Sequence, residues 1–225
     1  KLQLPLLIFF EFFVSCRLIK EENINMIHAH WLIPQGFVGV FLKKLFKIPL
    51  LVSVHGSDLF PLKNKLFKKL QHFVIKNSDY LTANSEATKK ELIRRFPSHS
   101  SKIRVVPMGV DTHLFAKKNI KKPKKYEKSK IMLFVGRLSD QKGLQFLIKA
   151  IPNISKYNLK IKLLIIGEGP YKKELQSIVN ENNLRTYVEF LGSMPAMKVA
   201  EYYNFADVFV MPSISEPFGL VALES

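Results

Sequence analysis

Cysteine is almost missing from these 225 residues. Cys16 stands by itself, so no intrachain disulfide can form, and nothing calls for an oxidising compartment. The expected address is cytoplasmic. Long apolar runs are missing as well: the opening LPLLIFF is broken by Glu11 and followed by Arg17 and Lys20, well short of the ~20 apolar residues a membrane span needs. A buried helix over 4–22 is expected there. No G-x-G-x-x-G follows a strand-like run, which leaves a nicotinamide cofactor little support. Acidic residues are scarce, 18 against 35 Lys and Arg, and the resulting +17 is uneven. Residues 1–115 carry 17 basic and 8 acidic groups, residues 116–130 carry 8 and 1, and residues 131–225 carry 10 and 9. What is plentiful is apolar: 47% hydrophobic against 24% charged residues, enough to build a core and to exclude disorder. The chain begins at Lys1 without a Met and stops at Ser225 inside a helical pattern, so a piece of a longer protein is expected.

Short β-branched or apolar runs at 25–29, 49–54, 79–83 and 103–106, then at 131–135, 161–166, 187–191 and 207–211, alternate with stretches of helical period. The helices are expected at 4–22, 35–47, 61–77, 85–95, 143–156, 170–182 and 195–204. Such alternation requires crossovers and parallel sheets covered on both faces, so each half reads as a Rossmann-like layer. The segment between them, 116–130, has eight Lys and almost no apolar content. It is expected to bury nothing and to serve as a basic linker between a first domain, 1–115, and a second, 131–225.

Ligand crevices of parallel sheets lie at the carboxyl ends of their strands. In the second half, VGRLSDQKG puts Arg137 and Lys142 at that rim, where one two-pronged and one point-like cation can clamp a diphosphate. The bland alternative is a pair of solvated cations. IIGEGP follows the next strand, and Gly167 permits a tight turn and close backbone approach. After the last strand comes EPFGLVALE. Glu216 and Glu224 lie eight residues apart, Pro217 suits a first helical turn, and the amides around Phe218, Gly219 and Leu220 would point outward to an anion. The two carboxylates would then hold sugar hydroxyls at separate points of one elongated ligand. Alternatively Glu216 only complements the helix dipole and Glu224 is solvated.

In the first half, His28 and His30 of HAH share one face of a strand, and His55 and Asp58 of HGSD close the next. Zinc is conceivable there, but no third cluster with ligand spacing follows, and strand ends lining a polar cleft explain the same residues. No metal is expected. Leu62, Leu66, Phe67, Leu70, Phe73 and Val74 form a helical stripe flanked by Lys63, Lys65, Lys68, Lys69 and Lys76. That pattern fits either contact with an anionic membrane or a core helix with a solvated lysine face.

Taken in order, IHAHWLIPQG, VSVHGSD, SDYLTANSEATKKEL, VPMGVD, VGRLSDQKG, IIGEGP, the strand at 207–213 and EPFGLVALE resemble the family 4 glycosyltransferases, which are retaining GT-B enzymes. The resemblance covers nearly all of the chain. It implies an α/β, GT-B architecture of two Rossmann-like domains whose parallel sheets face a cleft. It also implies transfer of a hexosyl-type sugar from a nucleotide-diphosphate sugar to a glycan or lipid-linked acceptor, with retention of configuration and no cofactor. Glu216 and Glu224 would be the E-x7-E pair, touching donor sugar and ribose. Arg137 and Lys142 would hold the diphosphate, supported by the amides of Phe218, Gly219 and Leu220. His55 would face the transferred sugar or the acceptor. Attack on the face the leaving group departs from would need no protein nucleophile, and the diphosphate could take the acceptor proton. Met108 stands where the family often has Asn, so no role is carried onto it. The opening strand, the glycine-rich loop and the end of the second domain are expected to be missing.

Other readings share parts of the pattern. A sugar-nucleotide epimerase would use much of the same donor site. A metal-dependent hydrolase built on the HxH histidines would need bound zinc and an eight-stranded barrel. A nucleic-acid-binding protein would use the charge, yet the sequence shows neither a binding module nor stacking aromatics, and no specific nucleic acid is expected. The reading carried forward is a glycosyltransferase, cytoplasmic and peripheral on the inner membrane face.

Overall fold

The computed structural model describes residues 3–59, 64–157 and 160–225. The chain divides into two compact units, Lys1–Met108 and Gly109–Ser225. In the first, α1 (Gln3–Glu21) leads into β1 (Ile27–His30), and a wide turn connects to α2 (Phe37–Phe46). Then follow β2 (Leu50–Val54), α3 (Lys65–Asn77), β3 (Tyr80–Ala83), α4 (Glu86–Arg95) and β4 (Ile103–Val105). The sheet is parallel throughout, ordered β1-β2-β3-β4. β2 alternates buried Leu50, Val52 and Val54 with half-buried residues. α2 lies close on it because Gly39 has no side chain: a Cβ there would stand 2.8 Å from Leu50 Cδ1. Side-chain caps start two helices, Asn64 accepting from the Leu66 amide at 2.8 Å and Ser85 from the Thr88 amide at 3.1 Å.

The second unit runs β5 (Lys130–Val135), α5 (Leu144–Ser155), β6 (Ile161–Ile166), α6 (Lys172–Glu181), β7 (Val188–Gly192), α7 (Ala196–Phe205), β8 (Val208–Phe209) and α8 (Leu220–Glu224). Its parallel sheet is ordered β7-β6-β5-β8. Ile131 to Phe134 are all buried, as a strand covered on both faces must be. Met132, Phe134, Leu163 and Ile165 pack under α5 and α6, and Ile131, Leu133, Leu164 and Ile166 pack under α7. The α/β class and the parallel sheets agree with the sequence.

Four expectations are corrected. α1 is not buried all round. Ile8, Phe12, Cys16 and Ile19 pack on α2, while Leu6, Phe10 and Val14 face outward, because apolar residues stand on both sides of the helix and one side packs on α2. The stripe on α3 is narrower than its spacing suggested: Leu66 is 61% exposed, and the buried line runs through Gln71, Val74 and Ile75. Leu62 and Lys63 of that stripe lie outside the described residues. The segment 116–130 is not a bare solvated linker. Tyr126 is only 1% exposed, stacked on Phe205, with its hydroxyl donating to Glu189 Oε2 at 2.9 Å. Lys125 reaches the other oxygen of Glu189 at 2.9 Å. Finally, Pro217 stands three residues before Leu220, where α8 begins, and so lies outside its first turn.

Asp207 ties this segment to the sheet, accepting from Lys122 Nζ at 2.6 Å, the Ile131 amide at 2.7 Å and Lys130 Nζ at 3.0 Å. Burial would raise its pKa, but those three donors overcome burial and bring it down to about 2.

Two outcomes test this packing. Tyr126→Ala should cost about 3 kcal/mol and Tyr126→Phe about 1 kcal/mol in urea denaturation, whereas a solvated linker would tolerate both. Asp207 has a folded pKa below its unfolded value of about 4, so its contribution is full at neutral pH and disappears as pH falls from about 4 to about 2. Asp207→Asn should remove that component of the acid-denaturation curve, and an unchanged curve would show that these bonds do not stabilise the fold.

Candidate active site

In the first unit, HAH and HGSD end β1 and β2, two hydrogen-bonded neighbours. One buried carboxylate fixes both ends. Asp58, 5% exposed, accepts from the Leu32 amide at 2.8 Å with one oxygen and from the His55 amide at 3.2 Å with the other. Burial raises its pKa, and the amide bonds and His55 work against that rise. Gln71 on α3 donates to the Asp58 carbonyl at 2.8 Å, which ties the loop to the helix behind it. Asn84 donates to the His55 carbonyl at 3.1 Å, so the backbone of His55 is held on both sides while its ring stays half exposed.

That ring meets His30: Nε2 of His55 and Nδ1 of His30 are 2.9 Å apart, and the rings stack at 5.1 Å between centroids. His28 bonds Ser53 at 2.8 Å, and Ser53 bonds Thr82 at 2.6 Å. Burial first and then the neighbouring His30 lower the pKa of His55, against an opposing effect of Asp58. His28 is lowered by burial, His30 and His55. Two imidazole rings in contact can share one hydrogen bond and keep their other nitrogens for a ligand hydroxyl. Among the described residues no three His, Cys, Asp or Glu side chains are grouped to hold a metal.

In the second unit the loops after β5, β6 and β8 are stacked at the carboxyl end of the sheet. The Gly136 amide donates to Ile166 O at 3.0 Å, Leu138 to Glu168 O at 3.0 Å, and Ile214 to Gln141 O at 2.9 Å. These layers touch backbone to backbone. A Cβ on Gly167 would sit 1.9 Å from Gly136 O, and one on Gly143, where φ is +68°, 2.0 Å from Pro212 O. Glycine is thus required at both, and Gly167 has a role in closing the loops together.

The contact of Gly143 with Pro212 sets the turn bearing Lys142 beside the loop bearing Glu216, and their side chains form an ion pair. Ser213 Oγ adds a bond to the same Glu216 oxygen at 3.2 Å. Gly219 is buried at φ +80°, where an added Cβ would stand 3.2 Å from Glu216 Cγ and from Met211. Arg137 is exposed beside the buried Leu138, and its guanidinium makes no hydrogen bond or ion pair with any described residue. Glu224 shares no hydrogen bond or ion pair with Lys142 or Glu216. Its carboxylate accepts from Tyr203 Oη on α7 at 3.3 Å, and burial and then this carboxylate raise the pKa of Tyr203. Phe218 and Leu220 are half-buried on either side of Gly219.

Lys142 and Glu216 were expected in one site and are joined. Tyr203, Ser213 and Asn84 were not among the expected site residues. Each is a common polar residue whose partner is distant in sequence or belongs to a loop, so no local spacing marks it.

Residues 2–114 match the family model Glycosyltransferase Family 4, and residues 115–225 match Glycosyl transferases group 1. An uncharacterized glycosyltransferase of Methanocaldococcus jannaschii is 33% identical over 212 residues, covering 94% of this chain and 56% of the relative. The D-inositol 3-phosphate glycosyltransferase of Corynebacterium jeikeium is 28% identical, with 92% and 55% covered. Among solved structures, sucrose-phosphate synthase of Thermosynechococcus elongatus superposes with a TM-score of 0.79 at 25% identity, over 98% of this chain and 57% of that one. HepE of Anabaena, in complex with UDP, superposes with a TM-score of 0.78 at 20% identity, over 94% and 59%. The chain spans just over half the length of the curated relatives it matches. The two parallel sheets, the residues at their carboxyl ends and the match over residues 2–114 lead to one conclusion: this chain belongs to glycosyltransferase family 4.

Proposed function

We propose that the protein transfers a sugar from a nucleotide-diphosphate sugar to a glycan or lipid-linked acceptor, with retention of configuration. The observation that carries this reading is the joining of Lys142 and Glu216, with the exposed Arg137 on the same loop as Lys142 and in no ion pair with a described residue. A departing diphosphate needs positive charge already in place. Here Lys142 is held by its turn and by Glu216, so little reorganisation remains at the moment the bond breaks. Arg137 supplies a second cation with two-pronged geometry, and the amides near Phe218, Gly219 and Leu220 supply neutral donors. Glu216 would orient Lys142 and accept from a sugar hydroxyl with its second oxygen. Glu224, held by Tyr203, would accept from the ribose hydroxyls.

In the first unit a neutral His55, kept so by burial and His30, suits hydrogen bonding to a sugar or acceptor hydroxyl better than attack on a carbon. The diphosphate itself would then receive the acceptor proton. Neither a metal nor another cofactor enters this scheme. UDP-glucose is bound in one HepE structure, which puts UDP sugars first in any donor screen. Among the described residues no helix is long and apolar enough to cross a membrane. The exposed lysines of α3 support a peripheral position on the inner membrane face as part of the proposal.

With the donor chosen by thermal shift among UDP, GDP and ADP sugars, Glu224→Gln should weaken its binding by about 1–3 kcal/mol in calorimetry. Unchanged affinity would remove Glu224 from the site. Lys142→Ala should lower kcat more than donor affinity, since its charge matters most as the diphosphate leaves. Equal kcat in variant and parent would refute that role.

A further inference from the structure

The first unit has a cavity of about 370 Å³ between α3 and the chain that leaves α4. Its lysines are Lys65 and, three and four residues on, Lys68 and Lys69, all exposed on α3, with His72 three residues after Lys69. Opposite stand Arg95 and the Phe96-Pro97-Ser98 turn. Among the described residues no lining residue is acidic. The carboxylate in contact with this wall, Glu91, is already shared by Arg94 at 2.7 Å and Arg95 at 2.6 Å. Those arginine bonds, the Arg94 bond foremost, bring its pKa down to about 2. Arg95 is nearly buried and also donates to the Leu59 carbonyl at 2.7 Å, so the cation at the back is fixed.

The three lysines form no ion pair with a described residue. Like charges gathered on a concave wall repel one another and focus a positive potential into the cavity, which an entering anion relieves. The floor is a stacked pair: His72 lies parallel to Phe96 at 5.9 Å, and its Nε2 is 3.3 Å from that of His99. We propose that this cavity binds a phosphate group, with Lys65, Lys68 and Lys69 as its charge partners and the Phe96-Pro97 surface supporting the body that bears the phosphate. The cavity lies wholly within the first unit, and this inference does not depend on the sugar-transfer reading.

Free phosphates and phospholipid headgroups share this chemistry, and the test separates them. His72 lines the cavity and His99 touches it, so the two report on the site. Groups facing the pair are Lys65, Lys68, Lys69 and Lys76 of α3, Arg95 and Glu91 of α4, and Lys102 beyond. Burial, Lys102, His72 and Lys76, in that order, lower the pKa of His99. A bound anion counters that repulsion, so it should move the titration of His99 upward.

The experiment follows the imidazole NMR signals of the 225-residue chain with sodium pyrophosphate, and separately with phosphatidylcholine vesicles with or without phosphatidic acid. Shifts of His72 and His99 with pyrophosphate, an upward move of the His99 titration, and about tenfold weaker binding in the Lys65→Gln, Lys68→Gln, Lys69→Gln variant are expected. Shifts with phosphatidic acid vesicles alone would support the site and make a lipid headgroup its ligand. Pyrophosphate bound near Lys142 would leave both imidazoles still and survive the triple substitution. If neither probe moves the two imidazoles, or the triple variant binds like the parent, the proposal is overturned. The parent's own shifts decide the matter even if the variant fails to fold.

Discussion

The candidate donor site depends on backbone passing against backbone with no side chain between. At the carboxyl end of the second sheet, Gly167 rests on Gly136 O, Gly169 on Leu138 O and Gly143 on Pro212 O. A methyl group at any of the three would stand about 2 Å from a carbonyl oxygen, far inside contact distance. Because the loops after β5, β6 and β8 are thereby stacked in one layer, Lys142 and Glu216 meet although 74 residues separate them. Strands alone would bring these loops to the same end of the sheet, but only the glycine contacts bring them close enough for an ion pair.

The first unit solves the same problem differently. One buried carboxylate, Asp58, replaces the stacked glycines by accepting amides from both strand ends, Leu32 after β1 and His55 after β2. Burying a carboxylate costs free energy unless donors satisfy it, and here two amides do. The result is a pair of histidines in mutual contact on a fixed backbone. In both units rigid framework elements hold functional groups at strand ends, which is where a parallel sheet leaves its crevice.

Charge follows a different logic from the fold. The +17 is not a uniform coat. Part of it is paired within the second unit: Lys122 and Lys130 serve Asp207, and Lys125 serves Glu189. Part gathers on one flank of α3, where no described residue lining the cavity is acidic. The same residue type therefore fastens a segment in one place and leaves a cationic wall in another, depending on whether a carboxylate lies within reach.

Hydrophobic period by itself determined the alternating strands and helices, since a strand buried on both faces and an amphipathic helix each need their own spacing of apolar residues. The motifs put Arg137, Lys142, Glu216 and His55 at strand ends, and the structure leaves them there. Sequence could not decide which residues would be paired. Tyr203 with Glu224, Asp58 with Leu32 and Tyr126 with Glu189 join positions far apart in the chain, and each depends on the packing of elements rather than on spacing within one. Nor could it show that a lysine-rich stretch would bury its one tyrosine, because eight charges dominate the composition of 116–130 while a single ring determines where it packs. Local composition fixes which surfaces need water or a partner; only the tertiary structure decides which partner is within hydrogen-bonding distance.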